Sequence, residues 1–419
     1  VRLLLFTGKG GVGKTTVAAA TGVHASRCGL KTLLVSTDPA HSLADALDVP
    51  LGPTPLEPES GLSAVQVDAR ARGERSWRSV QEYLIGMMDA LGVDPISAEE
   101  LTVLPGAQEV LALLEVRDLA VAGGYDLMVV DCAPTAETLR LLALPEAIAR
   151  SLEKALPVQR RILRAMAVGA RLGARSDGRT RGTGVGAGAG AGRGAVPTRD
   201  HVVEAAERLH AELAGVREVL TAPQTSVRLV VTPESVVLAE ARRTWTSLAL
   251  YGYPVDGVVA NRLMPSGGRD AWRAGWARAQ AVRMAELADS FRDVPIVRAG
   301  YASDEPVGMT LLAGLGEELY GAPDARTAKA LLAAPSVAAP LRVERDGDEF
   351  VLVLTLPLAL RDEVDLARVG DDLRLEVAGH RRMLALPSAL RRCVVTSAAL
   401  RDGALRVRFR PDPALWRAP

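Results

Sequence analysis

The stretch Leu3-Leu4-Leu5-Phe6-Thr7-Gly8-Lys9-Gly10-Gly11-Val12-Gly13-Lys14-Thr15 decides how the rest of the chain is read. An apolar, strand-like run enters a glycine-rich turn, and a helical segment, Thr16 to Cys28, leaves it. The turn fits G-x-x-x-x-G-K-[ST], in which glycines let successive backbone N–H groups close around phosphate oxygens. In that pattern Lys14 neutralises the β- and γ-phosphates, and the Thr15 hydroxyl ligates Mg²⁺. The chain has five lysines, and two of them, Lys9 and Lys14, fall in this one turn. Gly8, Lys9, Gly10, Gly11, Val12, Gly13, Lys14, Thr15 and Thr16 are therefore the expected nucleotide cradle.

Further short apolar runs follow at Thr32–Thr37, Leu62–Asp68, Leu127–Asp131, Val227–Thr232 and Gly257–Ala260. Several lack polar alternation, as strands buried on both faces of a parallel sheet do. Strands alternating with helical stretches predict an α/β fold: a doubly wound, mostly parallel sheet of the P-loop type. Its functional loops then lie at the carboxyl ends of the strands. A mostly helical insertion is expected at about 70–122 and 145–222, because Trp77, Val80, Leu84, Met87, Met88 and Leu91 form a stripe at helical spacing. Within it, the Gly/Ala/Arg-rich residues 173–196 are expected to be a flexible loop. Eight arginines between Arg160 and Arg193 outnumber Asp177 around that loop, giving it a basic character.

Near Pro335 the texture changes to alternating strands at Leu341–Val343, Phe350–Leu356, Leu373–Val377 and Ala404–Phe409, punctuated by Asp346-Gly347 and Asp402-Gly403. The expected organisation is a P-loop domain at 1–334, a linker at 335–340, a small all-β sandwich at 341–410 and a tail at 411–419. Composition sets limits on function. The chain has 419 residues with 50 basic and 50 acidic side chains, so no overall field favours nucleic acid or a membrane surface. There is no uncharged apolar run of about 18 residues, the length of a spanning helix, and no signal peptide is expected. The three cysteines, Cys28, Cys132 and Cys393, are too far apart for a zinc motif or a disulfide framework. These features lead to the expectation of a cytoplasmic protein.

Two aspartates extend the chemistry. Asp38 closes the second apolar run in Ser36-Thr37-Asp38-Pro39-Ala40-His41-Ser42, where a carboxylate can reach a water in line with the γ-phosphate. A helix N-cap is the alternative reading of the same residue. Asp131 closes the Leu127–Val130 run, the place for a carboxylate that holds Mg²⁺ directly or through water. Phosphoryl transfer to water depends on positioning and charge neutralisation more than on covalent help, and these residue types supply both.

With these residues in place, the chain resembles the ArsA-type ATPases, a family that includes the arsenite-pump ATPase and the targeting factor for tail-anchored membrane proteins. The likeness rests on the two-lysine loop, Ser36–His41, Asp131-x-Ala133-Pro134-Thr135, Thr138-Leu139-Arg140 and Pro105–Glu109. Thr232-Pro233-Glu234, Asn261-Arg262 and Glu305-Pro306-Val307-Gly308 add to it, so that it spans roughly residues 1 to 320. It implies a Mg²⁺-dependent ATP hydrolase with a deviant Walker A loop, working as a homodimer that sandwiches two ATP molecules. Lys9 then reaches the partner's nucleotide, Asp38 orients the attacking water, and Asp131 senses Mg²⁺ and the γ-phosphate. Thr15, Asp38 and Asp131 form the metal side of the site, and Asn261 hydrogen-bonds the adenine. One loop and scattered cysteines depart from the doubled arsenite pump, and the Cys-x-x-Cys clasp of eukaryotic targeting factors is absent. The implied output is handling or targeting of hydrophobic membrane-protein clients. The alternatives are the energising subunit of an anion efflux pump, or a partition or positioning ATPase. The terminal β-region resembles the small heat-shock (α-crystallin) fold, with Gly403–Phe409 as the matching segment.

Overall fold

The computed structural model describes residues 1–38, 40, 42–67, 107–132, 211–212, 214–267, 269–335 and 340–415. The helical stripe at 77–91, the basic Gly/Ala-rich loop and most of the insertion and linker lie outside these residues. So do the Pro134 and Thr138–Arg140 motifs.

The first body is an eight-stranded sheet. It contains β1 (Arg2–Thr7), β2 (Thr32–Ser36), β3 (Leu56–Glu59), β4 (Leu62–Gln66), β5 (Leu127–Asp131), β6 (Thr225–Val231), β7 (Val255–Leu263) and β8 (Ile296–Gly300). Their order is β3-β4-β2-β5-β1-β6-β7-β8. All neighbours run parallel except β3, which pairs antiparallel with β4 at the edge. Strands β1, β2 and β5 are buried along their whole length, which is why the sequence shows them as unbroken apolar runs. The sheet changes winding direction at β1, flanked by β5 on one side and β6 on the other, and ligands in doubly wound folds bind at that crevice.

Helix α1 (Lys14–Arg27) leaves the loop after β1 and is buried almost throughout, from Val17 to Ser26. In chain order α2 (Ser42–Leu47), α3 (Ala107–Ala122), α4 (Ser235–Tyr251), α5 (Ala271–Ser290), α6 (Met309–Tyr320) and α7 (Ala325–Leu332) follow. α6 packs on α1 so closely that a Cβ on Gly316 would lie 2.6 Å from His24 Cβ and 2.9 Å from the Ala20 carbonyl oxygen. Gly316→Ala therefore opposes two effects. Alanine favours the helix by about 1 kcal/mol, whereas overpacking against backbone costs about 1–3 kcal/mol. A net loss is expected, seen as a lower melting temperature for Gly316→Ala than for the native chain.

The second body is a sandwich of two antiparallel sheets. Strands β9 (Leu341–Asp346), β10 (Glu349–Thr355), β14 (Cys393–Arg401) and β15 (Ala404–Pro411) form one, in the order β14-β15-β10-β9. Strands β11 (Val364–Val369), β12 (Asp372–Val377) and β13 (His380–Ala385) form the other, and α8 (Ser388–Arg391) links the two. Alternate residues such as Leu373, Leu375 and Val377 turn inward to a core shared with Leu352, Leu354 and Phe409. This sandwich docks on the end of α4. Leu250 is buried in its core, Arg382 donates to the Leu250 carbonyl, and the Arg382 guanidinium lies 5.7 Å from the Tyr251 ring centroid. Among the described residues, no helix is long and apolar enough to cross a membrane.

Candidate nucleotide site

The loop Gly8–Gly13 hangs from the carboxyl end of β1, and its glycines are required by position. Gly8 has φ +153°, and a Cβ there would meet the Val230 carbonyl oxygen at 2.2 Å. Gly13 has φ +90°, and its missing Cβ leaves room for the Asn261 amide at 2.5 Å. Gly13 also caps α1 in the left-handed conformation, with no side chain closing the helix and no acidic residue in its first turn. By contrast, α5 and α7 are closed by Asp270 and Asp324, which accept from backbone N–H groups. The open N–H groups of α1 thus point into the loop, the arrangement that favours phosphate oxygens.

Three neighbouring strands deliver the polar side chains. Lys14, in the first turn of α1, is buried, and its Nζ donates to the Lys9 carbonyl oxygen at 3.3 Å. Burial pulls the Lys14 ammonium below its ordinary range, against the opposing pull of Asp131 and Asp38. Asp131, at the end of β5, is 1 % exposed. Its Oδ2 accepts from the Thr15 hydroxyl at 2.8 Å, while Oδ1 is buried without a partner among the described residues. Burial pushes this carboxyl up to about 7, although Thr15 and Lys14 pull it down. A buried carboxylate with an orphan oxygen beside a threonine hydroxyl fits a divalent cation, which supplies the missing partner and favours the ionised form. Next to it, Cys132 is buried, and desolvation pushes its thiol up to about 12. This thiol stays protonated and packs as a small apolar group.

Asp38 lies two residues beyond β2. Its Oδ1 accepts from the Ala40 amide at 3.0 Å and its Oδ2 from the Ser42 hydroxyl at 3.1 Å. The Asp38 carbonyl accepts from Gln66 Nε2 at 2.7 Å, and the Ser36 hydroxyl accepts from the Asp38 amide at 3.3 Å. The carboxylate is thus fixed by its own turn and remains partly exposed. Lys9 is partly exposed as well, and its ammonium has no partner among the described residues.

On the far side of the loop, β7 supplies Asn261 and Arg262. The Asn261 Nδ2 donates to the Val12 carbonyl at 2.9 Å, and its Oδ1 accepts from the Arg262 amide at 2.9 Å. Arg262, with φ +59°, donates through Nη1 to the Gly11 carbonyl at 2.9 Å. Gln280 on α5 fixes this turn by accepting from the Met264 amide at 2.7 Å and donating to the Arg262 carbonyl at 3.1 Å. A cavity of ≈ 390 Å³ opens here, lined by Gly13, Thr16, Asn261, Arg262, Tyr301 and Glu305 among others. It adjoins the loop and is of a size to take a nucleoside. The structure therefore brings the loop, Asp38, Asp131 and Asn261 to one edge of the sheet. The braces Gln66 and Gln280 and the Tyr301 wall of the cavity were not read from the sequence, and Arg262 was read there only as part of the Asn261-Arg262 motif, not as a brace.

A glycine-rich loop on the central strand, an uncapped helix behind it and carboxylates at the neighbouring strand ends define a P-loop nucleotide-binding fold. The family model for the anion-transporting ATPases matches residues 1–321, and that for the HSP20-like domain found in ArsA proteins matches residues 347–409. The chain belongs to this ArsA ATPase family. It is 38% identical to an uncharacterized protein of Streptomyces coelicolor, over 99% of each chain. It is 33% identical to a putative arsenical pump-driving ATPase of Chlorobaculum tepidum, over 98% of this chain and 96% of that one. With the arsenical pump-driving ATPase of Escherichia coli it shares 29% identity, over 75% of this chain and 49% of the other.

Proposed function

We propose that the chain is a Mg²⁺-dependent ATP hydrolase that works as a nucleotide-switched homodimer and handles hydrophobic membrane-protein clients. The observation that supports the chemistry best is the buried Asp131 carboxylate, bonded to Thr15 with one oxygen left over, beside the buried Lys14. Thr15 would hold Mg²⁺, with Asp131 and Asp38 on its flank, and the metal would neutralise charge on the phosphate oxygens. The loop amides and Lys14 orient the β- and γ-phosphates. Asp38, braced by Ala40 and Ser42, positions a water and takes its proton as the water attacks. Asn261 has one amide hydrogen and one lone pair beyond those that hold the loop, and as part of the adjoining cavity's lining it would use these to hydrogen-bond the adenine of ATP. The ammonium of Lys9, which has no partner among the described residues, reaches the nucleotide of the second copy.

The client reading rests on the family likeness. A second reading, that the chain energises an efflux pump, is favoured by relatives named as arsenical pump-driving ATPases. Trapping separates the two. The chain is locked with ADP and aluminium fluoride in cells, and what co-purifies is identified. A protein with an exposed hydrophobic helix is expected, and a multi-span pump subunit in its place overturns the client reading. EDTA is expected to abolish ATP turnover, and turnover that survives without divalent metal contradicts the assigned chemistry.

A further inference from the structure

A second cavity lies at the amino ends of the strands, away from the loop. It measures ≈ 460 Å³ and sits between β7, β8 and the α6–α7 corner. At its inner end is Arg228 of β6, whose side chain is only 14 % exposed. Arg228 Nε donates to Asp256 Oδ1 at 3.3 Å and Nη1 donates to the Tyr320 hydroxyl at 3.2 Å. Its Nη2 has no partner among the described residues, and the side chain lines the cavity.

The charges around this point do not cancel. Asp256 also accepts from Arg2 Nη2 at 2.7 Å, and the Arg2 side chain is 3 % exposed. Two nearly buried guanidinium groups therefore share one carboxylate, which leaves an excess of one positive charge among the described residues. At Arg2 burial is the main force, pulling the group down to about 10, with Asp256 holding it up and Arg228 a smaller push downward. At Arg228 burial also pulls down, but Tyr320 and Asp256 together hold the group above its ordinary range. At the mouth, Arg326 and Asp324 add one charge of each sign and leave the balance unchanged. The rest of the lining is apolar or small, with Gly257, Val259 and Val297 as floor and Ala330 and Leu331 of α7 as wall. A lone excess cation deep in a cavity with hydrocarbon walls matches one negative charge on an apolar body. A phosphate dianion fits less well, because it needs more donors than this cavity offers.

We propose that this cavity is a binding site for a small organic monocarboxylate, whose carboxylate pairs with Arg228 and whose apolar body lies against β7, β8 and α7. The site is separate from the nucleotide cavity. It still touches the same framework, because the Tyr320 hydroxyl that meets Arg228 also bonds Thr21 of α1 at 2.8 Å.

The test uses the full chain, with melting temperature and calorimetric titration as readouts and hexanoate, hexanamide and inorganic phosphate as probes. Hexanoate is expected to bind and to raise the melting temperature by the same amount with or without saturating ADP and Mg²⁺. Hexanamide, which has the same body without the charge, is expected to give no shift. Arg228→Gln is expected to lose the response. Because that change also disturbs Asp256 and Tyr320, a second variant, Ala330→Trp, fills the cavity from the exposed face of α7 and leaves the ion network intact. It is expected to weaken hexanoate at least about tenfold. The proposal is overturned if hexanoate does not bind, if hexanamide binds as well, or if Ala330→Trp keeps full affinity. Loss of the response in ADP would move the site to the nucleotide cavity, and a response to phosphate alone would make the ligand inorganic; either result overturns it too.

Discussion

Asp38→Asn is expected to lower ATP turnover by about 10²–10⁴-fold, the range for removal of a positioned general base, with ATP affinity changed only a few-fold. The local structure should survive. An asparagine Oδ1 still accepts from the Ala40 amide, and Ser42 can turn its hydroxyl to accept where it now donates. What is lost is the negative charge and the capacity to take a proton from water. Turnover at fixed, saturating ATP and Mg²⁺ measures this, alongside binding of a fluorescent ATP analogue. Unchanged turnover would return Asp38 to the role of a turn and cap residue, and the base would have to be sought elsewhere.

Lys9→Ala is expected to cost more. A cation supplied to a transferring phosphoryl group from a second subunit is worth about 10³–10⁵ in rate, and here it would also join the two copies. The variant should bind nucleotide, because Lys14 and the loop amides remain. Its ATP-bound dimer should form only at higher concentration than the native one in analytical ultracentrifugation, and its turnover should fall by that factor. The structure gives the contrast between the two lysines. The ammonium of Lys14 is buried against its own loop, whereas that of Lys9 is partly exposed and has no partner among the described residues.

How much of this was legible in the sequence follows from where each element sits. The central strands β1, β2 and β5 are buried on both faces and read as unbroken apolar runs. The edge strands were missed. β3 reads Leu-Glu-Pro-Glu and is partly exposed, and β8 carries Arg298 and packs on one neighbour only, so neither needs a continuous apolar stretch. In the sandwich, β9, β10, β12 and β15 were legible, whereas β11 and β13 carry Arg368 and Arg382 on the parity that Leu366 and Leu384 turn inward, which hides the alternation. β14 is exposed along nearly its whole length. Within the site, the loop and both aspartates were visible because their chemistry is local. The braces Asn261–Val12 and Arg262–Gly11 join residues 249 and 251 positions apart, and no local pattern reveals such pairs. The cavity at the amino ends was invisible for the same reason, since Arg228, its partner Asp256 and the neighbouring Arg2 meet only once β1, β6 and β7 lie side by side.

The central claim is that each ATP site is completed by the second copy, and mixing two inactive variants tests it directly. In a heterodimer of Lys9→Ala with Asp38→Asn, one site keeps its own Asp38 and receives an intact Lys9 from the partner. The other site has lost both. Equal mixing with random exchange should restore about a quarter of native turnover, since half the dimers are mixed and each has one working site. No recovery on mixing, with exchange between the variants verified by labelled subunits, would show that Lys9 serves its own loop and would contradict the account.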